Sequence, residues 1–149
     1  IVMISSTGGR RAFPFMGPYS ASKFALEGLS EALRRELMLF GIDVVVVAPG
    51  ATVTPIWDKA EVKEDGDGKS PYAQALAKGM QMMLTEARKG LPPERVADVV
   101  ANVFTLKSPK TRYAITPTPL MDYVIDLLPK RMLDQEIAQR LGLKPPKAN

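Results

Sequence analysis

The chain has 149 residues, is 46% hydrophobic and 24% charged, and carries a formal net charge of +4, the profile of an ordinary globular protein long enough for one domain. It contains neither Cys nor His, which excludes disulfides, thiol nucleophiles, thiolate or imidazole metal sites and Ser-His-Asp or Cys-His relays. The basic excess lies late in the chain: Lys107 to Asn149 hold eight Lys/Arg against four Asp/Glu, whereas the preceding residues hold twelve of each.

Taken in chain order, Ile1-Val2-Met3-Ile4 is a short apolar run of the kind that forms a buried parallel strand. Ser5 to Pro18 reads as a loop with three Gly and two Pro. A helix is predicted from Tyr19 to Phe40, because Phe24, Leu29, Leu33, Leu37 and Phe40 recur at helical spacing and Gly41 supplies a stop. Asp43 to Ala48 is a second buried strand, ended by Pro49-Gly50. Ser70 to Lys89 reads as a helix, and Pro92 or Pro93 opens another that runs to about Leu106 with Val96, Val99, Val100 and Val103 inside it. Arg112 to Thr116 is a last short strand. Leu120, Val124, Leu127 and Leu128 then form an amphipathic stripe; Pro129 interrupts it, and Leu133, Ile137 and Leu141 resume it. No internal repeat is present. Strand-helix-strand order implies right-handed parallel crossovers, and so an α/β fold.

Three residues carry the chemistry. Tyr19 and Lys23 stand four apart at the start of the first helix and therefore share a face. A positive charge beside a phenol favours its ionised form, and a phenol so placed can give a proton to a carbonyl oxygen or take one from an alcohol. Ser6 lies thirteen residues before Tyr19, at the end of the first strand, where its hydroxyl can hold the substrate oxygen. Ser5, beside it, serves the backbone at the strand end.

The sequence Ile4-Ser5-Ser6-Thr7-Gly8-Gly9, then Tyr19-Ser20-Ala21-Ser22-Lys23, then Val44-Val45-Val46-Val47-Ala48-Pro49-Gly50 with Thr54 four residues on, resembles the short-chain dehydrogenase/reductase family. The resemblance extends from Ile1 to about Ile115 and fades in the tail. It implies the C-terminal part of a doubly wound, Rossmann-like parallel sheet, here three strands with flanking helices. It also implies reversible hydride transfer between NAD or NADP and a carbonyl or alcohol carbon. Tyr19 would be the acid or base. Lys23 would assist it and hold the nicotinamide ribose. Ser6 would bind the substrate oxygen, while Thr54 and the Pro49-Gly50 backbone would seat the nicotinamide. The G-x-x-x-G-x-G or G-x-G-x-x-G turn that binds a dinucleotide pyrophosphate is not found in these residues. The expectation is therefore a C-terminal portion of a longer family member, inactive by itself, with the NAD or NADP choice left open.

Residues 1–116 are read as the catalytic part and 117–149 as an amphipathic tail. Within the first part, residues from about 52 to 90 match the family's substrate lid. Ile56 and Trp57 are assigned to that lid, whereas Met80 and Met83 are read as helix packing. An acidic, Gly-bearing stretch runs from Glu61 to Gly68. Met adapts to varied apolar shapes, which suits a small lipophilic carbonyl or alcohol substrate. The family likeness also implies a homo-oligomer formed through the helix at 19–40. The basic tail is read as a solvated, protein-packed face rather than a membrane contact, no nucleic-acid partner is indicated, and a cytoplasmic setting is expected. Two alternatives remain: a non-catalytic remnant or oligomerisation module, and a sugar-nucleotide epimerase or dehydratase, which shares Tyr-x-x-x-Lys.

Overall fold

A computed structural model describes residues 1–59 and 70–143. Three strands, β1 (Val2–Ile4), β2 (Val45–Pro49) and β3 (Arg112–Ile115), form a parallel sheet in the order β1-β2-β3. Val2 pairs with Val45 and Ile4 with Val47, while Val46 pairs with Arg112 and Pro49 with Ile115. β2 is the centre of the sheet, and its β-branched run is buried throughout: Val44, Val45, Val47 and Ala48 are at most 2% exposed. A strand covered on both faces needs an unbroken apolar run of this kind. β1 corrects the sequence reading. Among the described residues it has one strand neighbour and is not fully buried, with Ile4 46% exposed, because side chains of a strand are buried by the layers on the sheet faces and this end of β1 is left uncovered.

α1 (Gly17–Glu36) connects β1 to β2 and begins two residues earlier than predicted, with Pro18 in its first turn, where a missing N–H costs nothing. It stops at Glu36; Leu37–Phe40 continue as a 3-10 turn closed by Gly41 in the left-handed region, φ 64°. α2 (Ala73–Arg88) and α3 (Pro93–Thr105) link β2 to β3. Small residues, Ala75, Gly79 and Ala87, form the buried face of α2, and its Met80, Met82 and Met83 are half-buried. α4 (Pro119–Leu127) and α5 (Lys130–Leu141) follow the break at Pro129. α5 packs as expected, burying Leu141 to 1% exposure beside Gly79 of α2. α4 does not: Leu120, Val124 and Leu127 remain exposed. Polar contacts hold it instead, with Asp122 and Asp126 paired to Arg11 and Asp122 also accepting from Thr116. The acidic stretch Glu61 to Gly68 lies outside the described residues. Among the described residues, no helix is long and apolar enough to cross a membrane.

Candidate active site

The C-terminal ends of the parallel strands gather the residues singled out above, which is where ligands of open α/β sheets bind. β1 ends at Ile4. Ser5 still belongs to the ladder, donating its N–H to the Val47 carbonyl at 2.8 Å. Ser6 then caps a short 3-10 turn, Thr7–Gly9, its hydroxyl accepting from the Gly8 N–H at 3.0 Å. A serine hydroxyl that accepts a main-chain N–H keeps its own proton free to donate.

The loop from Arg10 to Met16 returns the chain to α1. Met16 donates to the Phe13 carbonyl at 3.1 Å, and Phe15 lies in the left-handed region at φ 67°, a conformation that costs a non-glycine residue roughly 1–2 kcal/mol. The strain is held by packing. The Phe15 ring meets Tyr72 edge-on at 6.0 Å between centroids, and Phe13 and Phe15 both lie beside Gly79. That reversal aims the first turn of α1 back at the 3-10 turn.

Tyr19 and Ser6 meet across Gly8. A Cβ on Gly8 would stand 3.2 Å from Tyr19 Cε1 and 3.4 Å from Ser6 Oγ, so Gly8 lies between the serine hydroxyl and the edge of the phenol ring. Lys23, one turn along α1, places its ammonium 5.8 Å from the Tyr19 ring centroid and donates to the Ile4 carbonyl at 3.3 Å. That bond steers the ammonium over the strand end while leaving further N–H groups for a ligand. Tyr19 is 43% exposed. Ser5 Oγ is buried beside Gly9 and Glu27, with no hydrogen-bond partner among the described residues.

The second strand end adds the backbone wall. Gly50 donates to the Ile115 carbonyl at 2.8 Å, and a Cβ there would lie 3.7 Å from Thr7 Cγ2, which sets Pro49-Gly50 beside the Ser6 turn. Thr54 is half-buried on the same loop and accepts from the Trp57 N–H at 3.3 Å. Trp57 is anchored at its other end, its indole N–H donating to the Thr52 carbonyl at 2.8 Å. Ile56, in contrast, is 67% exposed. Thus Tyr19 has Lys23 alongside and Ser6 across Gly8 at the end of β1, Gly50 stands beside the Ser6 turn, and Thr54, Ile56 and Trp57 lie on the loop after β2. This donor set suits the ribose and amide of a nicotinamide: an ammonium, a phenol and two hydroxyls above a backbone wall without a side chain at Gly50.

Sequence reasoning did not single out Glu27 or Arg112. Arg112 Nε donates to Glu27 Oε2 at 3.0 Å, and both side chains are about 85% buried, at 14% and 15% exposure. Glu27 was within reach of the same spacing argument, since Tyr19, Lys23 and Glu27 are successive fours on one helix face; Arg112 carries no local signal.

A family model described as short chain dehydrogenase matches residues 1–65. The NADPH-dependent 3-dehydrocapnine reductase of Ornithobacterium rhinotracheale is 41% identical over 137 residues, which are 91% of this chain and 48% of that protein. The 3-ketodihydrosphingosine reductase of Bacteroides thetaiotaomicron is 35% identical over 117 residues, 78% of this chain and 44% of the relative. A crystal structure of a short-chain dehydrogenase from Streptomyces avermitilis superposes with a TM-score of 0.59 at 28% identity, over 93% of this chain and 47% of that one. The chain spans about half the length of the curated relatives it matches.

Proposed function

Because the chain belongs to the short-chain dehydrogenase/reductase family, we propose that it carries the proton-transfer groups of a nicotinamide-dependent reductase acting on a lipophilic ketone. The observation that carries the reading is the placement of the Ser6 hydroxyl and the Tyr19 ring on either side of Gly8, with the Lys23 ammonium 5.8 Å from the centroid of that ring. In the reducing direction Ser6 Oγ donates to the substrate carbonyl oxygen, and the Tyr19 hydroxyl delivers the proton that makes it an alcohol. In the oxidising direction the same phenol removes that proton. Lys23, its ammonium 5.8 Å from the Tyr19 ring centroid, holds the ribose hydroxyls beside the phenol. The backbone at Pro49-Gly50 and the Thr54 side chain border the nicotinamide. The cofactor supplies the hydride when bound.

NADP(H) is the proposed cofactor, supported by the name of the relative from O. rhinotracheale. A lipophilic substrate with its carbonyl near one end is supported by two relatives named for reducing a 3-dehydro or 3-keto compound. Homo-oligomerisation through α1 is a further proposal, supported by the exposure of Phe24 and Leu29.

The test uses the native full-length protein and follows NADPH oxidation with a long-chain 3-keto substrate. Tyr19→Phe removes only the transferable proton, so turnover should fall by at least about 100-fold while NADPH binding, read by calorimetry, is largely kept. Lys23→Ala should damage both. A near-normal rate in Tyr19→Phe ends this reading.

A further inference from the structure

We infer that Glu27 and Arg112 are positioning residues that fix Ser6 opposite Tyr19, an inference that rests on the proton-transfer reading above. Arg112 reaches two acceptors with one fork. Its Nε serves Glu27, at 3.0 Å to Oε2 and 3.3 Å to Oε1, and its Nη2 lies 3.5 Å from the main-chain carbonyl of Ser6. That carbonyl also accepts from the Gly9 N–H at 3.0 Å. Glu27 touches the same turn from below: a Cβ on Gly9 would stand 2.9 Å from Glu27 Cγ. The 3-10 turn carrying the Ser6 hydroxyl is therefore held at its carbonyl by β3 and at its base by α1.

The helix side of this arrangement matters for the chemistry. Tyr19, Lys23 and Glu27 lie on one face of α1, spaced by four. The residue that anchors Arg112 thus moves with the residue that exchanges the proton. Ser6 and Tyr19 come from different elements, and a catalytic geometry must be kept within about 0.5 Å. The pair supplies a rigid bridge between those elements. Stability alone does not account for it, since a buried ion pair loses much of its Coulomb gain to desolvation and well-packed apolar residues do as well or better. Nor does the pairing of β2 with β3 need it, because that is made by main-chain bonds. The guanidinium is the right group: its planar fork serves a carboxylate and a carbonyl together, which a lysine ammonium on a flexible stem does not.

The experiment is a double-mutant cycle in the native full-length protein, with steady-state kinetics on NADPH and a long-chain 3-keto substrate. Glu27→Gln and Arg112→Lys are measured alone and in a Ser6→Ala background. If the pair acts through Ser6, each single substitution lowers kcat about tenfold and leaves the KM for NADPH within about twofold. In the Ser6→Ala background the same substitutions then cost almost nothing, because the hydroxyl they position is gone. Equal losses in both backgrounds would overturn the inference, as would an unchanged kcat in variants whose thermal melting shows them folded. If Arg112→Lys does not fold, the isosteric Glu27→Gln carries the cycle alone; failure of both to fold makes the pair a structural tie and also overturns it. Tyr19→Phe is measured alongside. A normal rate there sinks the proton-transfer reading, whereas a dead Tyr19→Phe with an additive cycle sinks only the positioning role.

Discussion

Gly8 separates what the fold needs from what the reaction needs. Its φ is not positive, unlike Gly41 and Gly142, so alanine fits the backbone. The added methyl would stand 3.2 Å from Tyr19 Cε1 and 3.4 Å from Ser6 Oγ. Carbon atoms settle about 3.5–4.0 Å apart, so the ring must retreat by roughly half an ångström. Tyr19 is 43% exposed, and the ring can swing outward. The strain is then small, and it is offset by the roughly 0.4–1 kcal/mol that a glycine-to-alanine change gains through the unfolded chain. Folding stability should therefore stay within about 1 kcal/mol of the parent. Catalysis is less forgiving. If a misplacement of about 1 Å costs about 100-fold, half of that costs about tenfold, or roughly 1.4 kcal/mol of transition-state stabilisation. The assay is kcat and kcat/KM of Gly8→Ala in the full-length protein, paired with its melting temperature. A Gly8→Ala enzyme with parental kcat, measured beside an inactive Tyr19→Phe, would show that Ser6 and Tyr19 do not act together across this gap.

Two further outcomes follow from the packing. Leu141 is 1% exposed against α2, so Leu141→Ala should cost about 2–5 kcal/mol locally; hydrogen exchange should speed up across α5 while β2 stays protected, and uniform acceleration would contradict the local docking. Phe24 and Leu29 are exposed on α1, so Phe24→Glu and Leu29→Glu should lower the mass found by light scattering without lowering the melting temperature of the subunit. An unchanged mass would remove α1 from the interface.

Much of the fold was legible because it rests on local patterns. The Val44–Val47 run could only be a covered strand, Gly41 marked the helix end, and Pro129 marked the break between α4 and α5. The spacing Ser6, Tyr19, Lys23 named three candidate groups, which stand near one another around Gly8 and the end of β1. Other features depend on residues far apart in sequence. The apolar run Ile1–Ile4 specifies a strand but not how many neighbours it has, so its edge exposure was invisible. The period of Leu120, Val124 and Leu127 shows that they share a face, not what covers it. Arg11 finds Asp122 across 111 residues, and a phenylalanine gives no warning that it will adopt φ 67° at position 15.

These unforeseen contacts share a destination. The segment from Ser6 to Tyr19 is tied to later parts of the chain at separate points: the Ser6 carbonyl to Arg112 of β3, Arg11 to Asp122 and Asp126 of α4, Phe15 to Tyr72, and Phe13 and Phe15 to the surroundings of Gly79 of α2, where Leu141 of α5 also lies. A loop left to itself samples many conformations, and ordering its backbone costs about 1–2 kcal/mol per residue. Here polar anchors at two places and an aromatic cluster at a third supply that ordering, and they absorb the strain at Phe15. The placement of Ser6 relative to Tyr19 therefore draws on residues far along the chain. Their side chains act by fixing the loop that spaces Ser6 from Tyr19, so their substitution should be felt in the rate even where no ligand contact is lost.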